Sequence, residues 1–256
     1  MMSTQASAIF LFAHQDDETG TLQKILDEIQ NGRKVLCVYL TNDVKNTEVT
    51  ARRNRESVTV LTKLGIARDN IIFAGAELNI HDGDLLNHLA AARLWLEKFL
   101  SRQQSISTIY LPAWEGGHHD HDALHALGIT VAAHARLEEQ TQQFPLYNAF
   151  NCFGPFFRVL LPLTANGPIT STKVSWSNRF RFLRYCLSYP SQATSWIGLF
   201  PFMFLHYIIW GVQFTQPVSI TRIQQRPHSA PLYYERRNYC KYEYLRQQID
   251  ANLMDM

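Results

Sequence analysis

Residues Ala8–Ala13 (AIFLFA), followed at once by His14–Glu18 (HQDDE), decide how this chain folds. An unbroken apolar run of this length, ended by a polar turn, is the pattern of a strand buried on both faces of a parallel sheet. Working outward, Lys34–Thr41 (KVLCVYLT), Asn70–Ala74 and Ser107–Pro112 (STIYLP) repeat it. Between these runs Glu18–Asn31, Thr47–Leu64 (closed by Gly65), Leu85–Arg102 and Asp122–Glu139 carry helical spacing. Strands alternating with helices predict βαβ units and an α/β fold with a doubly wound, mainly parallel sheet. Such sheets bind ligands beyond the carboxyl ends of their strands, so the chemistry is expected just after Ala13, Thr41, Ala74 and Pro112. No GxGxxG follows the first strand and no GxxxxGK[ST] occurs, which removes the main support for a dinucleotide or P-loop site.

The chain has 256 residues, 46% hydrophobic and 18% charged, which excludes a mini-protein and intrinsic disorder. Its formal charge of +2 argues against a general nucleic-acid binder. That total hides an asymmetry, because the 95 residues between Glu139 and Glu235 contain no Asp or Glu and carry +7, leaving −5 for the rest. The same stretch holds 20 of the 31 aromatic residues. We therefore expect a Rossmann-like catalytic core over 1–145 and a C-terminal, aromatic-rich extension over 146–256 packed on it, as a single domain overall. Four scattered cysteines without a CxxC pair point to a reducing compartment. The N-terminal segment lacks the basic region of a signal peptide. A cytoplasmic location is expected, with peripheral membrane contact as an extension of it. Trp196–Val212 (WIGLFPFMFLHYIIWGV) has three readings: a membrane span, a buried helix or pocket wall, and a monotopic surface dipping into a membrane interface.

Two His/Asp clusters fall at strand ends: His14–Glu18 after the first strand and Glu115–Asp122 (EGGHHDHD) after the fourth. If Asp17 opens a helix, His14 and Asp17 converge, and a histidine of the second loop completes three ligands. Two imidazoles and a carboxylate suit Zn²⁺, with Fe²⁺, Co²⁺ or Mn²⁺ as alternatives, and leave a position open for water. His125 is a rival ligand one helical turn beyond His121, whereas His119 and Asp122 are read as loop and first-turn polar groups.

The strings AHQDDE and EGGHHDHDALH resemble the AHPDDE and GHPDH motifs of the metal-dependent LmbE-like (PIG-L) N-deacetylases. Arg53-x-x-Glu56 and Asp82-Gly83 match further positions, so the resemblance covers roughly residues 8–135. It implies His14, Asp17 and His121 as metal ligands, Asp16 as general base, and His118 as the group that stabilises the transition state. It also places Arg53 and Asp82 near an N-acetylglucosamine-type substrate. Gln15 and His119 stand where the family usually has proline, which relaxes two loops but removes no ligand. Glu56 is read as the structural partner of Arg53.

The chemistry expected of these residues is hydrolysis of an amide, with Asp16 taking a proton from an activated water. A protonated His118 would donate to the oxyanion or the departing amine, and Asp120 would orient its imidazole. The +7 segment favours an anionic substrate, phosphorylated or lipid-linked. Two other readings stand beside this one: a metal-dependent amidase or acyl hydrolase acting on a non-sugar amide, and a catalytically silent metal- or glycan-binding module.

Overall fold

The structure, a computed structural model, describes residues 5–42, 47–229 and 231–254. Its main sheet is built from β1 (Ser7–Phe12), β2 (Lys34–Tyr39), β3 (Ile71–Phe73), β4 (Ile106–Pro112) and β5 (Thr141–Phe144), which run parallel in the order β3-β2-β1-β4-β5. β1 is central and buried at every position. Ile9, Leu11 and Ala13 feed one hydrophobic cluster and Ala8, Phe10 and Phe12 the other, so the unbroken apolar run reflects a strand with helices on both faces.

Four helices connect and cover this core: α1 (Leu22–Gln30), α2 (Thr47–Leu64), the short α3 (Ala74–Leu78) and α4 (Leu89–Ser101), followed by α5 (His119–His134). α1 and α2 pack on the Phe10 face, α4 and α5 on the Ile9 face. The first and third predicted helices are each split by a 3-10 turn, at Asp17–Gly20 and Leu85–His88. α5 starts three residues earlier than its periodicity suggested, because His118 caps it through its side chain.

The C-terminal part does more than lie against the sheet. After the small hairpin of β6 (Tyr147–Asn148) and β7 (Arg158–Val159), it adds β8 (Thr170–Lys173) and β9 (Val212–Pro217) to the sheet as antiparallel strands. β9 pairs with β5 and β8 with β9, giving seven strands, mostly parallel, in an α/β fold. TSTK lacks an apolar run because β8 is the edge strand and is mostly exposed, and VQFTQP, though paired on both sides, is buried only at alternate positions along most of its length.

Between β8 and β9 lie α6 (Trp176–Cys186) and α7 (Ala193–Ile209), joined through the 3-10 turn Pro190–Gln192; α8 (Tyr233–Arg236) and α9 (Tyr242–Ile249) follow β9. α7 takes up most of the Trp196–Val212 run. No helix of the described residues is long and apolar enough to cross a membrane, so the spanning reading falls. One side of α7 is buried through Trp196, Met203, His206 and Tyr207, and the other leaves Ile197, Leu205 and Ile209 exposed.

Candidate active site at the switch point

β1 is the point from which the chain winds outward, to β2 on one side and β4 on the other. The loops after β1 and β4 therefore meet over the carboxyl edge of the sheet. In the first loop the Asp17 carboxylate accepts the backbone N–H of Ala13 (2.9 Å) and of His14 (2.8 Å), which closes a tight turn. In the second, Gly116 adopts φ +71°, and a Cβ on Gly117 would lie 2.0 Å from the Tyr147 carbonyl oxygen, so the Gly-Gly pair is required by the turn and by close packing. Asp122 accepts the N–H groups of Glu115 and Gly116, both at 3.1 Å. Glu115 in turn accepts from Leu146 and Tyr147, fastening the C-terminal part to this loop.

The first turn of α5 thus aims His121 back at β1. Its Nε2 lies 3.0 Å from Asp17 Oδ1 and 3.2 Å from His14 Nδ1. His14, Asp17 and His121 are all buried, with one donor atom of each within 4.8 Å of the others. Two imidazole nitrogens and a carboxylate oxygen aimed at one buried point fit a divalent cation. The far side of His14 strengthens the fit: its Nε2 faces Asp120 and Asp82, each at 3.1 Å, the carboxylate backing that orients a metal-binding imidazole. His125 stands apart, its Nδ1 donating to the Pro112 carbonyl at 2.8 Å.

Two expectations change here. The Asp120 carboxylate does not orient His118; it lies 4.0 Å from that ring and instead takes His14 and the N–H groups of Gly83 (2.6 Å) and Leu85 (3.2 Å). Nor does His118 carry two protons: its Nδ1 accepts the Asp120 N–H at 3.2 Å, and burial together with the neighbouring His14 pushes it down to about 3. The neutral ring keeps its proton on Nε2.

Asp16 sits at φ +121°, a conformation L-residues avoid. It is held by Glu18, which accepts the Asp16 N–H at 2.9 Å, and by the Thr19 hydroxyl, which donates to the Asp16 carbonyl at 2.7 Å. Glu18 is itself fully buried and takes the Tyr189 hydroxyl at 2.8 Å. Burial and the adjacent Asp17 raise the Asp16 carboxyl well above its ordinary range, against the pull of Arg53. Asp17 goes the other way: burial would raise it, but His121 and His14 bring it to about 2.

Arg53, buried on α2, donates to Asp82 at 3.2 Å and to the Gln192 amide oriented with its oxygen inward. Glu56 turns to Arg52 (3.2 Å) and to Ser191 N–H (3.1 Å) rather than to Arg53. Asp82 is brought in because its N–H donates to the Asn42 carbonyl after β2 (2.7 Å). Burial would raise its carboxyl, but His14, His118 and Arg53 hold it well below the usual range.

All eight residues singled out from the sequence, His14, Asp16, Asp17, Arg53, Asp82, His118, Asp120 and His121, thus lie around one centre. The hold of Glu18 on Asp16 and of Gln192 on Arg53 was not anticipated, nor was the Tyr147 ring, centred 5.6 Å from that of His121. Glu18 was visible in the motif, whereas Gln192 and Tyr147 carried no local signal. Beside the centre a cavity of about 950 Å³ is lined by His119, Gly83, Asn87, Asn238, Tyr239 and Lys241.

The fold is shared with solved deacetylases. One from the biosynthesis pathway of teicoplanin superposes with a TM-score of 0.62 at 14% identity, covering 84% of this chain and 98% of that one. N,N'-diacetylchitobiose deacetylase from Pyrococcus horikoshii gives 0.59 at 16% identity, over 84% of this chain and 85% of that one. The A40926 pseudoaglycone deacetylase gives 0.60 at 16% identity, over 89% and 100%. No curated protein matches the sequence. The span from β1 through most of α5, residues 9–132, matches the family described as PIG-L, GlcNAc-PI de-N-acetylase, and is a PIG-L (LmbE-like) domain.

Proposed function

We propose that the chain is a metal-dependent N-deacetylase that hydrolyses the acetamide of an N-acetylglucosamine-type amino sugar. The observation that carries this reading is the meeting of His14, Asp17 and His121 with Asp16 and His118 at the switch point. The PIG-L domain supports it, as do structural neighbours that are deacetylases, one of them described in a zinc-inhibited form.

His14, Asp17 and His121 would hold Zn²⁺, or Fe²⁺, Co²⁺ or Mn²⁺ in its place. Bound there, the ion supplies Lewis acidity to a carbonyl oxygen and acidifies a water. Asp16, its carboxyl raised above the ordinary range by burial, takes the proton of the attacking water and passes it to the departing nitrogen. The neutral His118 donates its Nε2 proton as a hydrogen bond to the oxyanion as charge develops. Asp120 and Asp82 hold His14 in place, while Arg53, braced by Asp82 and Gln192, meets the sugar or an anionic group on it. The products are acetate and a free amine.

The +7 segment supports a phosphorylated or lipid-linked carrier and a membrane-peripheral placement, and four free cysteines support a cytoplasmic enzyme. The test is acetate release from free, nucleotide-linked and lipid-linked N-acetyl amino sugars, with metal content measured on the same sample. Activity on at least one sugar, lost on chelation and restored by one of the four ions, is expected. Full metal loading with no acetate from any of them would overturn the reading.

A further inference from the structure

α7 is apolar all the way round, yet it lies at the surface. Its exposed stripe, Ile197, Pro201, Leu205 and Ile209, follows the i, i+4 spacing of one helix face, with Ile197 79% and Ile209 62% accessible. A soluble helix normally presents polar side chains there. α6 carries an exposed stripe of Trp176, Phe180 and Arg184, continued by exposed Leu187 just past its end. Arg179 ties the two helices together: it donates to the Tyr207 carbonyl of α7 at 3.1 Å and stacks 4.2 Å over the Trp176 ring. The charges offered by this hairpin and the strand leading into it are all positive, Arg184 and Lys173 being exposed, and the sequence holds no Asp or Glu between Glu139 and Glu235.

We propose that the outer face of the α6–α7 hairpin docks on the surface of an anionic phospholipid bilayer, with the α7 stripe entering the acyl boundary and Arg184 and Lys173 at the headgroups. An apolar face edged by cations and tryptophans has the chemistry of a monotopic interfacial surface. A second copy of the chain is a poorer occupant, since the hairpin itself has no carboxylate to meet the cations a copy would bring.

The docking face is wired to the candidate site. Between its two helices, the turn Pro190–Gln192 places Ser191 on Glu56 and Gln192 on Arg53. On the other side Phe202 packs on Phe157 (5.2 Å between centroids), Phe157 on Tyr147, and Tyr147 on His121. The docked face is thereby linked through these contacts to the candidate site, which we read as taking a lipid-linked amino sugar from the same membrane. This last step rests on the deacetylase reading; the docking does not.

The test is co-sedimentation of the full chain with vesicles of phosphatidylcholine containing one third phosphatidylglycerol, and with phosphatidylcholine alone, at low and high salt. Acetate release from a soluble N-acetyl sugar is measured in parallel. Binding is expected to the anionic vesicles and to weaken with salt. It should fall by about 25-fold in Arg184→Glu, since each unit of charge at an anionic surface contributes about fivefold and the substitution changes the charge by two. It should fall at least as far in the double variant Ile197→Ser/Leu205→Ser, with soluble-substrate turnover unchanged in both. No binding to anionic vesicles, or equal binding by wild type and both variants, would overturn the proposal. So would a concentration-dependent dimer abolished by the same substitutions, which would make a second copy the occupant. Vesicle binding without deacetylation of any substrate would break the deacetylase reading and leave the docking surface standing.

Discussion

The switch-point centre and the outer face of α7 depart from ordinary burial in opposite directions. At the centre, Asp17, Glu18, Asp120 and His121 are buried, although carboxylates and imidazoles belong in water; on α7, isoleucines and leucines that belong in a core face outward. The polar groups are compensated by one another, each buried carboxylate meeting N–H, O–H or imidazole partners. Exposed apolar groups gain nothing from the protein itself. The difference underlies the two partners we propose: for the centre something small and cationic, for the helix face something broad and apolar.

Asp16→Asn breaks the centre without touching the helix face. It should retain metal and lower turnover by about 10²- to 10⁴-fold, the effect of losing a general base, with vesicle binding unchanged. Steady-state kinetics with metal analysis checks this. The two sides of α7 should separate next. Met203→Ala, on the buried side, should cost about 2–5 kcal/mol in urea unfolding, whereas Ile197→Ser should stay within about 0.5 kcal/mol. Equal losses would mean that the outer stripe is covered by the protein itself.

Gln192→Ala sharpens the link between the regions. Freed of its amide brace, Arg53 should bind substrate less well, raising KM several-fold with kcat nearly intact. A fall in kcat alone would show that the turn acts on the chemistry instead. The smallest effect concerns pH. Burial lifts Asp122 to about 8 and Glu115 to about 7. Because these folded-state values exceed the unfolded ones, the stability they contribute is full below about pH 4 and is lost as pH rises through the folded values. Urea midpoints should therefore decline from mildly acid to mildly alkaline pH, and the decline should be shallower in Asp122→Asn, which keeps the oxygen that accepts from Glu115 and Gly116.

The four leading strands were legible because a stretch buried on both faces must be apolar, and β1 throughout, β2 after Lys34 and the second half of β4 obey that rule. β8 and β9 were not, since short polar strands share their composition with loops. At the centre, residues clustered in sequence were legible. Gln192 reaches Arg53 from a turn far along the chain, and only tertiary packing could reveal it. The reassignment of Asp120 from His118 to His14 has the same origin: neighbours in sequence on a helix's first turn point in different directions, and which imidazole a carboxylate meets depends on the strand opposite.

The backbone at Asp16 has a consequence for how such a site is kept. A non-glycine residue at φ +121° stores about 1–3 kcal/mol, held there by Glu18 and Thr19. Asp16→Gly would release that energy and should raise the melting temperature while silencing the centre. Selection for robustness alone would therefore erode this position, and its persistence in a lineage would record a demand for turnover.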